Sequence, residues 1–333
     1  MILAGGLSTR LYPLTLDVPK ALVPVLDRPV VSHVIDYLAG FGVDDLVINV
    51  HYFAAAVEKY VGDGSAWNVR MDYLREPQLM GSAGAVKQVE ARFSETFVVI
   101  GCDDVTNIDL AAAVSFHKQR GAEATIVLAG AKDVSHYGVV VVDDTGRILG
   151  FQEKPAKGSE RSNLVNTGVY VFEPAVLRRI PPKVFFDFGS QVFPEMLRAG
   201  ANFYGMRQDA YWCDIGTPHE YRRVHADALR GTIVLRPAEG SAVSAGVLLG
   251  AGAAVDPSAS IGAPTCVGSD ATIGAGALVS GSVLWRGVRI GYGAIVNDAV
   301  LGENAVVEAG SFIEGGEYGS GVRLSTECTG RVI

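Results

Sequence analysis

Apolar and polar positions follow two different rhythms along this chain, and the change of rhythm divides it. Val30, Val31, Val34, Ile35 and Leu38 fall at helical spacing, Gly40 and Gly42 close the segment, and an apolar strand follows from Leu46 to Val50. A second helix around Ala54 to Val61, a strand near Val69 to Leu74, a helix from about Ala83 and a strand from Thr96 to Ile100 repeat the alternation. Beyond Asp109 a helix to about Arg120 leads to a strand from Ala124 to Ala129. Such alternation predicts a mostly parallel sheet with helices on both faces. The apolar runs on either side of Asp143-Asp144-Thr145-Gly146 predict a hairpin, where antiparallel strands join that sheet. Further helices are expected from about Ser190 to Arg198 and from Tyr221 to Leu229.

From about Gly231 charge thins out, glycine and alanine dominate, and the period becomes six. Leu249, Val255, Ile261, Val267, Ile273 and Val279 keep strict register, with Gly250, Gly262, Gly268 and Gly274 directly after four of them. The register breaks near Ser282 to Arg289, then resumes through Ile290, Val296, Leu301, Val307 and Ile313. A six-residue period predicts a parallel β-helix. The expected division is therefore a domain over 1–230, a linker over 231–242 and the repeat domain over 243–333, including a C-terminal tail.

Composition narrows the functional classes. The chain has 333 residues, enough for two domains, and a net charge of -8 from 36 acidic and 28 basic residues. Nothing in that balance points to a nucleic acid partner. No apolar run approaches the roughly 20 residues that span a bilayer, and no charged-then-apolar leader stands at Met1, so a cytoplasmic protein without a membrane partner is expected. Cys102, Cys213, Cys266 and Cys328 lie far apart without C-x-x-C spacing, which fits neither a zinc site nor a disulfide framework. Reduced, mostly buried thiols are expected.

Candidate chemistry gathers after the strands, where ligands collect in such sheets. Ile2, Leu3 and Ala4 run into Gly5 and Gly6, which keep no side chain between a ligand and the backbone. Thr9 adds a hydroxyl, Arg10 a fixed charged fork, and Pro13 and Pro19 stiffen the path back to Lys20. A polyphosphate is the simplest ligand for this loop, although it matches neither the P-loop nor the dinucleotide fingerprint, and an ordinary strand-to-helix turn could carry the same residues. Glu76 to Gly84 places Gly81 and Gly84 around Ser82, open to a flat group or a plain turn. Gly101-Cys102-Asp103-Asp104 puts two carboxylates after a strand, as a helix cap or as ligands for the Mg2+ that accompanies a nucleoside triphosphate.

The stretch L-A-G-G-L-S-T-R-L-Y-P-L-T followed by P-K-A-L-V-P-V resembles the signature of the sugar-1-phosphate nucleotidyltransferases. Four later segments resemble family motifs in the expected order: Glu76 to Gly84, Gly101 to Asp104, Glu153-Lys154-Pro155 with Asn166-Thr167-Gly168, and Trp212-Cys213-Asp214-Ile215-Gly216-Thr217-Pro218. Ser8 stands where many members have glycine, Ser82 replaces threonine, Gly101-Cys102 replaces Asn-Gly, and the first strand is shorter than usual. The resemblance implies a Rossmann-like α/β domain with a mixed, mostly parallel sheet flanked by helices, followed by a left-handed β-helix of hexapeptide repeats. It further implies that Arg10, Lys20 and Lys154 are catalytic, and that Leu3, Ala4, Gly5, Gly6, Thr9, Glu76, Gly81 and Ser82 bind the nucleotide. Gly84, Gly138, Glu153, Lys154, Asn166 and Thr167 would bind the sugar phosphate, and Asp103 and Asp214 would hold Mg2+.

The implied reaction joins an NTP and a sugar 1-phosphate into an NDP-sugar with release of pyrophosphate. The G-[ST]-A-G form is most like that of the guanylyltransferases acting on mannose 1-phosphate. Uridylyl, thymidylyl or adenylyl transfer to glucose 1-phosphate or a related sugar or cyclitol phosphate stays open, as does a non-catalytic sugar-nucleotide sensor of the same fold. An acyltransferase seated in the repeats is disfavoured, because all six histidines lie at or before His225. The repeats are expected to serve homo-oligomerisation.

Overall fold

A computed structural model describes residues 1–325 and the backbone of residues 327–329. The side chain of Cys328 lies outside the described residues; Cys102, Cys213 and Cys266 are buried and not joined in disulfides. The helices form where the apolar spacing places them, at Val30–Gly40, Ala54–Val61, Gly81–Gln88, Leu110–Gln119 and Pro218–Leu229. The chain divides into two compact units: Met1–Gly6 with Ile35–Trp212, and Leu7–Val34 with the chain from Cys213 onward.

The first unit is built on a nine-stranded mixed sheet. Ile2–Leu3 lies at its centre, parallel to Asp45–Val50 on one side and to Phe97–Gly101 on the other, and Arg70–Arg75 extends the sheet in parallel beyond Asp45–Val50. Two residues suffice for this first strand because both its edges are paired. Ile2 is fully buried, as a central strand covered on both faces requires. Leu164–Phe172 enters antiparallel between Phe97–Gly101 and Ala124–Gly130, and the hairpin of Gly138–Val142 with Ile148–Glu153 completes that side. The core under this half of the sheet is aromatic, with Phe172, Phe188, Phe193 and Phe203 all at or below 1% exposure.

One helix differs from its expected form. The segment expected as a helix from Ser190 to Arg198 begins earlier, as a π-helical turn over Phe188–Val192, and becomes α-helical only at Phe193–Arg198. Pro194 has no amide hydrogen to donate, so the hydrogen-bond register resets there. Asp187 caps the turn by accepting from the amides of Gly189 and Ser190.

In the second unit, three sheets of six, five and five strands run along a β-helix, parallel throughout except that Ala242–Ser244 joins the six-stranded sheet antiparallel to Val247–Leu249. Its core is the predicted aliphatic series with additions. Val267, Leu284, Leu301 and Tyr318 recur every 17 residues and pair in register, as do Ile273, Ile290, Val307 and Leu324. The apparent break near Ser282 is therefore a corner taken in five residues rather than six, between Val279 and Leu284, and it recurs between Val296 and Leu301 and between Ile313 and Tyr318. Gly281, Asp298 and Gly315 turn that corner at positive φ, where only glycine, aspartate or asparagine is cheap. Each inward side chain contributes roughly 1.5–3 kcal/mol by burial, so stacked coils are stable where a single coil is not.

Candidate active site

In the first unit, Gly5 meets a wall of polar side chains. A Cβ there would lie 2.7 Å from Asn49 Nδ2 and 3.0 Å from Glu76 Oε2. Asn49 bridges the site: its Oδ1 accepts from the amide of Ala4 at 2.9 Å, and its Nδ2 donates to Glu76 at 2.6 Å. The second Glu76 oxygen accepts from the Met80 amide and from Gln88 Nε2. The Glu76 carboxylate is thus spent on the walls of the pocket, and its 4% exposure agrees with a scaffold role. Gly6, by contrast, has open space where a side chain would be.

Gly81 has φ 75° and packs against the carbonyl of Phe186, which also accepts from the amides of Ala83 and Gly84. The Ser82 hydroxyl donates to Asp187 at 2.8 Å and accepts from the Phe188 amide at 3.0 Å. The segment 184–188 therefore lies across the start of the helix Gly81–Gln88.

The adjacent aspartates after Phe97–Gly101 play different parts. Asp104 is 6% exposed and anchored, accepting from the Gly101 amide and from Trp212 Nε1, each at 3.1 Å. Asp103 stays partly exposed, with Oδ1 beside Gly101, where a Cβ would come within 2.7 Å. Gly168, at φ 82°, also leaves room for the Asp104 carboxylate. Cys102 is buried, and its amide donates to Leu3 at 2.9 Å, tying the two central strands together at their ends.

Farther along the sheet, Glu153 pairs across the hairpin with Gly138 and has Oε1 3.4 Å from Lys154 Nζ. Lys154 itself takes a left-handed backbone, φ 45°, and is largely exposed. Asn166 donates to Tyr170 Oη and accepts from the Gly168 amide, at a bulge in its strand. Thr167 is buried, its hydroxyl donating to the Val127 carbonyl. Asn49 and Asp187 are contributors that no sequence motif names, and only their long-range contacts reveal them.

The second unit gathers Arg10, Lys20 and Asp214. Lys20 Nζ is 3.4 Å from Asp214 Oδ1, and a Cβ on Gly216 would lie 2.9 Å from Arg10 Nη2 and 3.0 Å from Asp214 Oδ2. Glycine at 216 is what leaves space for both charged ends. Thr217 caps the following helix by accepting from the Glu220 amide, and Pro218 occupies its first turn, which fixes the strand end that carries Asp214. Ser8, in the place of the expected glycine, adopts the glycine-like φ of 54° and is held there by the Thr15 hydroxyl on its carbonyl. Thr9 and Arg10 are exposed.

A glycine turn with open space at Gly6, partly exposed carboxylates, and Arg10 and Lys20 gathered near Asp214 suit phosphoryl transfer by positioning and charge neutralisation. The comparisons agree. The family model described as "Nucleotidyl transferase" matches residues 1–231, and one described as "GMPPB C-terminal domain" matches residues 243–330. The chain belongs to the sugar-1-phosphate nucleotidyltransferase family, and its relatives are named enzymes of that class. It is 37% identical over 264 residues to a UTP–glucose-1-phosphate uridylyltransferase of Synechocystis sp., covering 75% of this chain and 68% of that one. It is 33% identical over 262 residues to a mannose-1-phosphate guanylyltransferase of Mycobacterium tuberculosis, covering 75% and 72%. Among solved structures, HddC from Yersinia pseudotuberculosis complexed with GMP-PN superposes with a TM-score of 0.58 at 25% identity, over 67% of this chain and 96% of that one. A putative glucose-1-phosphate thymidylyltransferase from Bacillus anthracis shares the fold, with a TM-score of 0.63 at 24% identity over 71% of this chain and 96% of that one.

Enzymes of this family generally use a divalent metal. Asp103 in the first unit and Asp214 in the second are each partly exposed carboxylates, hard oxygen donors of the kind such an ion takes. Among the described residues no three His, Cys, Asp or Glu side chains are gathered as a closed structural metal site would need. No helix among the described residues is long and apolar enough to cross a membrane.

Proposed function

We propose that this enzyme transfers a guanylyl group from GTP to mannose 1-phosphate, giving GDP-mannose and pyrophosphate. The observation that carries this reading is the pairing of the two matches in one chain: a nucleotidyl transferase domain followed by a GMPPB-type C-terminal domain. Several mannose-1-phosphate guanylyltransferases among the relatives support it. A second reading, uridylyl transfer to glucose 1-phosphate, is favoured by the Synechocystis relative.

In either case a phosphate oxygen of the sugar phosphate, anionic at neutral pH, attacks the alpha-phosphorus in line. The new P–O bond forms as the bond to the bridging oxygen of the beta-phosphate breaks, and the electron pair leaves with pyrophosphate. No general base is required. Arg10 is assigned to the leaving pyrophosphate, and Lys20 and Lys154 to the remaining phosphate charge, as preorganised cations aimed at developing anions. Mg2+ held by Asp103 and Asp214 would neutralise charge on the phosphates when bound. Gly5, Gly6 and Thr9, with the backbone of Leu3 and Ala4, are assigned to the nucleotide together with Gly81 and Ser82. Glu76 supports them from behind through Asn49. Glu153, Asn166, Thr167, Gly84 and Gly138 are assigned to the sugar. The division into a catalytic domain over 1–230, a linker over 231–242 and a repeat domain is part of the same proposal, as is a cytoplasmic location.

Self-association through the β-helix belongs to it too. Leu278, Ile295 and Phe312 stack in register on one outer sheet, with Leu278 45% and Phe312 36% exposed, an apolar stripe suited to a second copy. The reading is tested by assaying pyrophosphate release for GTP, UTP, dTTP and ATP against mannose and glucose 1-phosphates.

A further inference from the structure

The segment that carries Lys20 folds with the β-helix, and the contacts that hold it there are specific. Lys20–Leu22 is a short 3-10 turn, and a two-residue hairpin follows at once, Pro24–Val25 paired antiparallel with Arg28–Pro29. Its turn residues are Leu26 at φ 50° and Asp27 at φ 63°. Two consecutive left-handed residues make the turn that Asn-Gly forms readily, and Leu-Asp is a poor local choice for it. Something outside the hairpin must hold it.

Two clamps do so, one made directly by the β-helix and one by the helix Pro218–Leu229 backed by Trp285 of the β-helix. At the turn, Asp27 Oδ2 accepts from both the amide of Ser269, at 2.9 Å, and its hydroxyl. Gly250 leaves the space for that carboxylate, since a Cβ there would stand 2.7 Å from Asp27 Oδ2. At the base of the hairpin, Trp285 Nε1 donates to the Tyr221 hydroxyl at 2.9 Å, and Tyr221 donates in turn to the Pro24 carbonyl. His225 Nε2 donates to the same carbonyl at 3.2 Å. Tyr221 and Trp285 are buried, so these bonds are formed away from water and exchange slowly with it. The Lys20 turn is tied into this base, because Val23 donates from its amide to the Lys20 carbonyl and Val30 to the Val23 carbonyl. The hairpin that follows Lys20 is thus fastened to one coil of the β-helix directly, through Ser269, and to the next coil through Tyr221, which Trp285 holds.

We propose that Trp285 and Asp27 are positioning residues for nucleotidyl transfer, through which the β-helix fixes the Lys20 turn in the geometry it has beside Asp214. The kinetic part rests on the transferase reading above. The β-helix is then an element of the catalytic apparatus as well as a surface for association.

The test uses the full chain with Trp285→Phe, which keeps an aromatic ring and loses the N–H, with Asp27→Ala, and with Asp27→Asn, which keeps an acceptor for Ser269. Hydrogen exchange of the peptide covering residues 20–30 is read first, because it is independent of activity. Exchange at least about tenfold faster in Trp285→Phe and Asp27→Ala, with the wild-type rate largely restored in Asp27→Asn, is expected. Pyrophosphate release is read second: kcat falls by about 10- to 100-fold in the first two variants while KM for both substrates stays within about twofold, as misplacement of a charge felt in the transition state predicts. Unchanged exchange of residues 20–30 in a folded Trp285→Phe protein overturns the clamp. Faster exchange with unchanged kcat overturns its role in catalysis. A wild-type protein that releases no pyrophosphate with any substrate pair refutes the transferase reading, and the exchange measurement then still decides whether the clamp exists. Should Trp285→Phe fail to fold, Ser269→Ala removes one of the two bonds at the turn and is read in the same way.

Discussion

Lys20 and Asp214, 194 positions apart in the chain, stand 3.4 Å apart with their side chains 11% and 24% exposed. The ammonium lies beside a carboxylate assigned to Mg2+, so cation and metal ligand are preorganised together before any substrate enters. Asp214→Asn is expected to lower kcat by at least about 100-fold, comparable to removing one preorganised charge contact. Titrating Mg2+ in the steady-state assay checks the cause: the variant should need more Mg2+ for half-maximal rate, and an unchanged requirement would remove Asp214 from the metal.

Arg10 is exposed, so its removal should leave the fold intact. Arg10→Ala is expected to reduce kcat by at least about 100-fold with little change in melting temperature. Near-normal turnover would refute its assignment to the leaving pyrophosphate.

Two glycines separate function from stability. At Gly216 the atoms an added methyl would meet are the ends of Arg10 and Asp214, which can swing away. Gly216→Ala should therefore cost less than about 1 kcal/mol of stability yet lower kcat, since the displaced groups are the reactive ones. At Gly5 the obstructing atoms belong to the buried Asn49–Glu76 pair, whose hydrogen bonds cannot be moved cheaply. Gly5→Ala should destabilise the protein by about 1–3 kcal/mol. Equal melting temperatures for the two variants would contradict this contrast.

His225 gives the protein an acid sensitivity of known sign. Burial lowers its pKa to about 3, with the bond to the Pro24 carbonyl acting in the opposite direction and His33 adding to the lowering. The unfolded chain binds this proton near pH 6.5 and the folded chain does not until about pH 3, so stability is full above pH 6.5 and falls as pH drops through that window. One proton corresponds to about 1.4 kcal/mol per pH unit. Denaturant unfolding at pH 6.5 and 5.0 should show the wild type losing about 2 kcal/mol more than His225→Gln. Equal losses would mean that His225 is protonated in the folded state.

Much of this was readable from residues because the signals are local. The glycine turn, the Asp103-Asp104 pair and the Trp212-to-Pro218 stretch each stand in one short segment at a strand end, and the six-residue period of Leu249 to Val279 needs no tertiary information. The five-residue corners escaped notice because a strict period of six skips Leu284 and Tyr318, although both are buried in the same stack. The delayed helix at Phe193 follows from Pro194, whose effect is local, whereas apolar spacing alone carries no sign of it. The different fates of Asp103 and Asp104 depend on Trp212, 108 positions away from Asp104, and no local pattern could supply that. Likewise, nothing near Leu26-Asp27 announces that Ser269 and Trp285 hold the hairpin.

The most direct test of the central claim is the initial rate of pyrophosphate release with GTP and mannose 1-phosphate, set against UTP and glucose 1-phosphate, at saturating Mg2+. A kcat/KM for the guanylyl pair at least about tenfold above that of the uridylyl pair is expected, a difference that about 1.4 kcal/mol of transition-state discrimination supplies. A reversed preference would transfer the assignment to glucose 1-phosphate, and no pyrophosphate from any pair would refute nucleotidyl transfer by this protein.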